Sequence, residues 1–375
     1  MGAELDDLLD LFVRLVEIPS PSGHERAVAD FILAWLRDRG LEPTEDGSAA
    51  ATGAGSGNIS VVLPGEGRGT PILVAAHMDT VTVNGPVEAV VEGGVVRSAG
   101  DTILGADDKA ACAVLLSVLC GLAAEAPACS LEGVFSTCEE IGLRGAKALD
   151  IGGIGAKAGF VFDSTGPIGE VITRAPSQKI VVAEFHGAAA HAGVAPEEGR
   201  SAIVAAARAV AAMNLGRLDE ISTANIGIIA GGAATNIVPE RCRIEGEARS
   251  HDPERLAAQI GDMIAAINLS AAAEAVDVTT SVSDEFTAFA LPDDALPVRI
   301  ACAALHAVGV EPRLASSGGG SDVNVYNLRG LPAVNLSVGM EKVHTPDEYM
   351  PVERLHEAER LLHAIVAVAG ATRPV

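Results

Sequence analysis

Ile72-Leu73-Val74-Ala75-Ala76-His77-Met78-Asp79 is the stretch on which the reading of this chain turns. Its first five residues are apolar without alternation and lie between turn residues. A short run of that kind reads as a strand buried on both faces, as in a sheet covered by helices. The run then breaks into His77-Met78-Asp79. In open α/β sheets the crevice beyond the carboxyl ends of the strands is where function collects.

Working outward, residues 59–63, 131–137 and 159–162 read as further buried strands. Residues 4–18 read as a helix, with Leu5, Leu8, Leu9, Phe12, Leu15 and Val16 at helical spacing. A second helix is expected over 22–39, entered by Ser22-Gly23-His24-Glu25 as a capping box. Residues 47–57 read as a loop, and 107–125 as a long apolar-striped helix. This alternation predicts an α/β domain with helices covering a mixed sheet. The rhythm changes after Pro176. A strand over 179–185, a helix over 196–215 and strands over 224–230 and 240–250 follow. A helix capped by Asp252 with Pro253 in its first turn, then a strand over 275–283, complete the set. The order β-α-β-β-α-β is ferredoxin-like. Beyond Leu291 the first rhythm resumes: a helix near 294–308, a glycine-rich turn, a strand over 331–337 and a helix near 351–369. The expectation is a discontinuous α/β domain, 1–175 and 290–375, with an α+β ferredoxin-like domain inserted at 176–289.

The 375 residues carry 26 Lys+Arg against 50 Asp+Glu, a formal net charge of -24, and aromatics are 3%. Such acidity repels phosphate backbones and stacking platforms are scarce, so no nucleic-acid partner is expected. No apolar run approaches the ~20 residues of a membrane span, so no membrane partner is expected either. The acidic, amphipathic start resembles neither a signal nor a transit peptide, and Asp6 breaks the myristoylation pattern. Cys112, Cys120, Cys129, Cys138, Cys242 and Cys302 include no C-x-x-C pair. They read as small buried hydrophobes in a reducing cytoplasm.

Chemistry-bearing residues recur where strands end. His77 and Asp79 follow the first strand, Glu139 and Glu140 the strand over 131–137, and Asp163 the strand over 159–162. Asp107 opens the long helix in Gly105-Ala106-Asp107-Asp108-Lys109, and His344-Thr345-Pro346 follows the strand over 331–337. Each alone has an ordinary structural reading: a hydrogen-bonded pair, a solvated face, a helix-dipole contact. Together, two imidazoles and several carboxylates cannot share a crevice without compensation. Divalent cations supply it, and a thiolate-free set suits zinc, cobalt or manganese.

The ordered motifs H-M-D, G-A-D-D-K, C-E-E-I-G, F-D-S, H-A-G, G-G-G-S-D and H-T-P resemble the tripeptidase-like (peptidase T-like) metallopeptidases. These sit in the larger group with carboxypeptidase G, succinyl-diaminopimelate desuccinylase and aminoacylase. The resemblance spans essentially the whole chain; the joint set is specific, and no single motif is. It implies a co-catalytic centre of two divalent ions, zinc first, with cobalt or manganese as alternatives. His77, Asp107 and Asp163 would hold one ion, and Asp107, Glu140 and His344 the other. Asp79 would orient His77, and Glu139 would be the general base. Asp108 matches a variable position. Ala110-Ala111 stands where the family commonly has a glycine, a difference that touches helix packing.

The resemblance also makes the inserted domain a lid and dimerisation domain. His191, in Ala190-His191-Ala192-Gly193, would reach the partner subunit's site and stabilise an oxyanion; as a bare residue it reads as a surface-loop histidine. Arg249 lies on the polar face of its strand, opposite Cys242, Ile244 and Ala248, and would bind a substrate carboxylate. Asn236 would also contact substrate. Gly319 and Gly320, in Ser317-Gly318-Gly319-Gly320-Ser321-Asp322, would let backbone approach it. That loop lacks the Lys of a phosphate loop, and residues 153–159 miss the dinucleotide spacing by one. The chain is thus expected to be a cytoplasmic, homodimeric metallopeptidase cutting an amide bond in short peptides. The alternatives are an N-acyl-amino-acid deacylase, an exo-carboxypeptidase or, from another class, a metal-stabilised binding protein. Asp163 in place of Glu leans toward peptidases that recognise a free amino terminus.

Overall fold

A computed structural model describes residues 7–82, 84–124 and 126–373; Leu5, in the first expected helix, lies outside them. The chain divides into two units. One comprises Met1–Thr173, Ala290–Ser316 and Ser321–Val375, the other Arg174–Phe289 and Ser317–Gly320. The glycine-rich turn therefore packs with the second unit, where the sequence suggested an unbroken stretch from 290 onward.

In the first unit, Ile72–His77 lies between Leu131–Ser136 and Ala158–Ser164, parallel to both, and Ala333–Ser337 adds a fourth parallel strand. Ile59–Leu63 and Glu170–Ala175 flank these four in the antiparallel sense, so the sheet is mixed. All six residues of Ile72–His77 are buried. Ile72, Val74 and Ala76 join the main core with helices Asp7–Val16, Ala106–Leu122, Leu296–Ala307 and Val352–Ala371, while Leu73 and Ala75 are buried on the other face. Period-two alternation of an uninterrupted apolar run requires a cover on both faces. Because the four strands are parallel, their carboxyl ends emerge at one edge. His77 stands level with Ser136, just short of Cys138-Glu139-Glu140.

In the second unit five antiparallel strands run in the order Gly216–Arg217, Ser222–Gly231, Arg241–Ser250, Ser177–His186, Asp277–Phe286. Val181, Ala183 and Phe185 share one face and pack with Ile244 and Ala248 against Ala205, Ala209, Leu256, Met263 and Ile267 of two helices, Ala202–Ala212 and Pro253–Ala273. This is the β-α-β-β-α-β order with one short strand added. Pro253–Ala273 is long and apolar enough, by length and composition alone, to cross a bilayer. Here it is an amphipathic core helix, and Asp252 caps it through the N–H groups of Glu254 and Arg255.

Several expectations are corrected. Helix Arg26–Arg37 starts later than expected, with Glu25 at the N-cap and no side-chain cap. Ser22 and Glu25 are bonded elsewhere, so the capping box is not formed. The helix expected over 196–215 is a 3-10 turn, Pro196–Glu198, followed by Ala202–Ala212, because Arg200 pairs with Ala188 as a β-bridge between them. Ala89–Glu92 and Val95–Ser98 form a hairpin outside the expected elements, turned at Gly93 and Gly94, both at positive φ, a pair that is itself a hairpin-turn signal.

Candidate metal centre

His77 ends its strand and is 2% exposed. Its Nδ1 lies 2.9 Å from the main-chain oxygen of Asp79. A carbonyl only accepts, so Nδ1 carries a proton in either charge state, and it is the neutral ring whose Nε2 presents a lone pair. Nε2 stands 3.2 Å from Asp107 Oδ1 and 3.9 Å from Asp163 Oδ1. The Asp79 carboxylate, expected to orient the ring, is 3.6 Å from Nδ1; the carbonyl makes the closer contact. The carboxylate instead accepts the backbone N–H groups of Glu139 (2.9 Å) and Glu140 (3.3 Å).

Asp107 leaves helical geometry at the start of Ala106–Leu122, with φ -81° and ψ 104°. Its carboxylate lies between two imidazoles: Oδ2 is 3.1 Å from His344 Nε2, which is 2.9 Å from Glu140 Oε1. Two donor sets result, His77–Asp107–Asp163 and Asp107–Glu140–His344, each with all its donor atoms within 4.8 Å of one another. Both contain Asp107.

The residues present fit divalent metal ions. The donors are imidazole nitrogens and carboxylate oxygens, at separations suited to ligands about 2.0–2.2 Å from a shared cation. The electrostatics agree. Burial pushes the carboxyls of Asp163 and Glu139 well above the usual range, helped by Asp107 at Asp163 and by Asp163 at Glu139. Burial also opposes ionisation of Asp107, but His344 and His77 hold it below the usual range. Asp107 and Glu140 raise His344 to about 10. These carboxylates resist ionising together unless cations lie among them. The three acidic donors and Glu139 carry four negative charges when ionised, which two divalent ions would balance.

Glu139 is half-buried and belongs to neither donor set. Three acids beside the centre were not expected. Glu348 is 1% exposed and accepts the N–H groups of Leu104, Gly105 and Asp107 at 2.8, 2.8 and 3.1 Å. Asp322 is buried, accepts the Ser136 hydroxyl at 2.5 Å, and is pushed up to about 6 by burial. Asp108, set aside as variable, is buried and accepts the His77 N–H at 3.3 Å. In sequence Glu348 is one more acid after His344-Thr-Pro, with nothing to separate it from a solvated one. Asp322 stood within the quoted glycine motif.

The remaining expected residues lie in the second unit. His191 is exposed; its Nδ1 accepts the Gly193 N–H, and it bridges to Ile237 while Ala192 donates to the Asn236 carbonyl. The two loops therefore lie side by side. Arg249 is gripped by Glu247 through two 3.0 Å bonds, from Nε and Nη2, and its Nη1 is 3.4 Å from the Gly318 carbonyl. Glu247 was not anticipated; it fixes the guanidinium and leaves Nη1 facing the glycine loop. A Cβ at Gly319 would stand 3.7 Å from Nη1, and one at Gly320 only 2.5 Å from the Phe286 ring. At Gly320 packing within the chain already demands glycine.

A family model described as peptidase family M20/M25/M40 matches residues 73–368. YqjE of Bacillus subtilis strain 168 is 41% identical over 97% of this chain and 98% of that protein. Aminopeptidase PepT from Bacillus cereus ATCC 10987 is 39% identical over 97% of this chain and 98% of its own, with a TM-score of 0.84. A tripeptidase from Staphylococcus aureus Mu50 is 35% identical over 98% of both chains, with a TM-score of 0.90.

Proposed function

The chain belongs to peptidase family M20/M25/M40, a metal-dependent hydrolase of peptide bonds, and from that membership we propose a dinuclear exopeptidase that acts on short peptides from the free amino end. Zinc is the proposed metal, with cobalt or manganese as substitutes. The observation that carries the reading is the pair of donor sets sharing Asp107, with Glu139 beside them and in neither.

In this reading His77, Asp107 and Asp163 hold one ion, and Asp107, Glu140 and His344 the other. Bound there, divalent ions polarise a substrate carbonyl and bring the pKa of a water toward neutrality. Glu139 takes the proton of the attacking water onto its carboxylate and passes it to the departing amine. Asp79 holds the His77 ring through its carbonyl and the Glu139 backbone through its carboxylate, which keeps base and ligand in fixed relation. His191 is the proposed oxyanion donor. Asn236, Gly319, Gly320 and the Nη1 edge of Arg249 are proposed substrate contacts, with Arg249 suited to a carboxylate. Six free thiols fit a reducing compartment, and cell fractionation tests the proposed cytoplasmic location.

The test is metal analysis together with turnover on di- and tripeptides and N-acyl amino acids. Two ions per active chain and a preference for free-amino peptides are expected. Faster turnover of N-acyl amino acids would make the protein a deacylase, and full activity with one ion would remove the second metal. Glu139→Gln should retain metal yet lower kcat by about 100- to 10,000-fold. Arg249→Ala should harm peptide acids more than their amides; equal harm would make it structural.

A further inference from the structure

The segment Ser20-Pro21-Ser22-Gly23-His24-Glu25 leads into helix Arg26–Arg37 yet gives it no side-chain cap. It lies along the loop after His77: Pro21 bridges to Thr80, the Thr80 N–H donates to the Ser20 carbonyl, and the Ser22 N–H donates to the Thr80 carbonyl. From there Ser22 Oγ donates to Asp79 Oδ2 at 2.6 Å. This is the carboxylate that receives the backbone N–H groups of Glu139 and Glu140. Asp79 is 0% exposed, and its carboxyl is held below the usual range: burial opposes ionisation, and His77, Ser22 and the Glu139 N–H outweigh it.

Glu25, also 0% exposed, grips the same turn from the other side. Its Oε1 accepts the Gly23 N–H at 2.8 Å and the Cys138 thiol at 3.2 Å, and its Oε2 accepts the Gly55 N–H at 2.6 Å. The thiol stays protonated as the donor, pushed up to about 12 by burial and by Glu25. Cys138 immediately precedes Glu139 and holds a positive φ of 50°, a conformation non-glycine residues seldom keep without support. A residue so placed aims the side chain that follows it. The turn is thus held on one side by Ser22 through Asp79, and on the other by Glu25 through Cys138. Neither side chain is spent on helix Arg26–Arg37, which forms without a side-chain cap.

We propose that Ser22 and Glu25 are positioning residues for Glu139, holding the Cys138-Glu139-Glu140 turn so that the Glu139 carboxylate meets the reacting water. The proposal rests on Glu139 being the general base. It makes Ser22 and Glu25 determinants of kcat without making either a ligand or a substrate contact.

The test measures kcat, KM and bound metal on a tripeptide for Ser22→Ala, Ser22→Thr and Glu25→Gln, each in the parent and in the Glu139→Gln background. In the parent background Ser22→Ala should lower kcat by about 10- to 100-fold, the range for partners that orient a site's groups. KM and metal content should stay within about twofold, and Ser22→Thr, which keeps the hydroxyl, should recover most of kcat. In the Glu139→Gln background Ser22→Ala and Glu25→Gln should change the residual rate less than about twofold, because groups that act through one residue are not additive. Multiplicative losses in both backgrounds, or loss of metal alongside kcat, would overturn the positioning role while leaving the base intact. Near-parental kcat in Glu139→Gln alone would overturn the base reading and this proposal with it. Should Ser22→Ala fail to fold, the near-isosteric Glu25→Gln carries the same comparison.

Discussion

At Glu348 one buried carboxylate receives three backbone N–H groups, the last of them from Asp107 itself. Its neighbour in sequence, four residues back, is His344. One side chain thus ties the loop that carries the shared donor to the loop that carries His344. An amide can accept only through its oxygen, so Glu348→Gln strands at least one of these N–H groups. We expect metal affinity to fall about 10- to 100-fold, as for other groups that orient ligands, and Glu348→Ala to destabilise the fold besides, since each buried unpaired donor costs about 1–3 kcal/mol. Competition against a chelator of known affinity measures the first effect and urea unfolding the second; parental affinity in Glu348→Gln would separate this residue from the centre. Asp79 teaches a related point. A His-x-Asp spacing shows that the two side chains are near each other, but whether the carboxylate or the carbonyl meets the ring depends on the turn between them.

At the scale of elements, the short helix Arg144–Ala148 shows how closely the chain packs behind the Glu139 turn. A Cβ on Gly145 would stand 2.3 Å from the Thr137 carbonyl oxygen and 2.6 Å from both the Thr137 nitrogen and Asn58 Oδ1. The Gly145 N–H donates to that same carbonyl. Gly145→Ala must move either the helix or the strand end, and overpacking of this kind costs about 1–3 kcal/mol. Because the strand end leads directly to Glu139, kcat should fall as well. Gly261, inside helix Pro253–Ala273, has nothing within 4 Å of its Cβ position. There the same substitution should stabilise by about 0.5–1 kcal/mol. Urea midpoints of the two variants should move in opposite directions; a shared direction would contradict the packing argument.

At the scale of the molecule, the charges of the centre couple metal to stability. In metal-stripped protein His344 is held up to about 10 by Asp107 and Glu140, and the carboxylates around His77 keep it well above its ordinary value despite burial. A raised folded pKa adds stability that is complete below the unfolded pKa, ordinarily 6.5, and is lost as pH rises through the folded one. The stripped protein should therefore lose stability from pH 6.5 to 8. The slope is at most about 1.4 kcal/mol per pH unit for each proton retained, and less for the exposed His344. Lys109, lowered to about 8 by burial, acts in the opposite sense only above that pH. Metal-loaded protein should lack this slope because ligation has already displaced the protons. Melting curves with and without chelator decide the matter, and parallel pH dependences would contradict it. The second unit bears on assembly. Gly216–Arg217 pairs with Ser222–Gly231 only at Thr223 and Ala224, so among the described residues Ile228 and Ile229 stand exposed on an edge with no strand beside it. Edges of this kind invite a partner. If the partner is a second copy sharing His191, a purified heterodimer of His191→Ala and Glu139→Gln chains should regain activity. A heterodimer as inactive as its parents would refute the sharing.

Local sequence signals are enough to specify the alternation of buried strands and helices, the inserted β-α-β-β-α-β order, the Asp252 cap and the set of acids and histidines at strand ends. These follow from local periodicity and from residue types whose chemistry is rare in an apolar setting. Long-range packing is what sets Asp107 between two histidines, buries Glu348 and Asp322 beside the centre, and turns Ser22 and Glu25 away from their helix toward Asp79 and Cys138. Local pattern reports which groups could bond along a helix or strand. It carries no record of the competing partner supplied by a segment more than fifty residues away, and at Ser22 that partner, the Asp79 carboxylate, prevails over the helix cap.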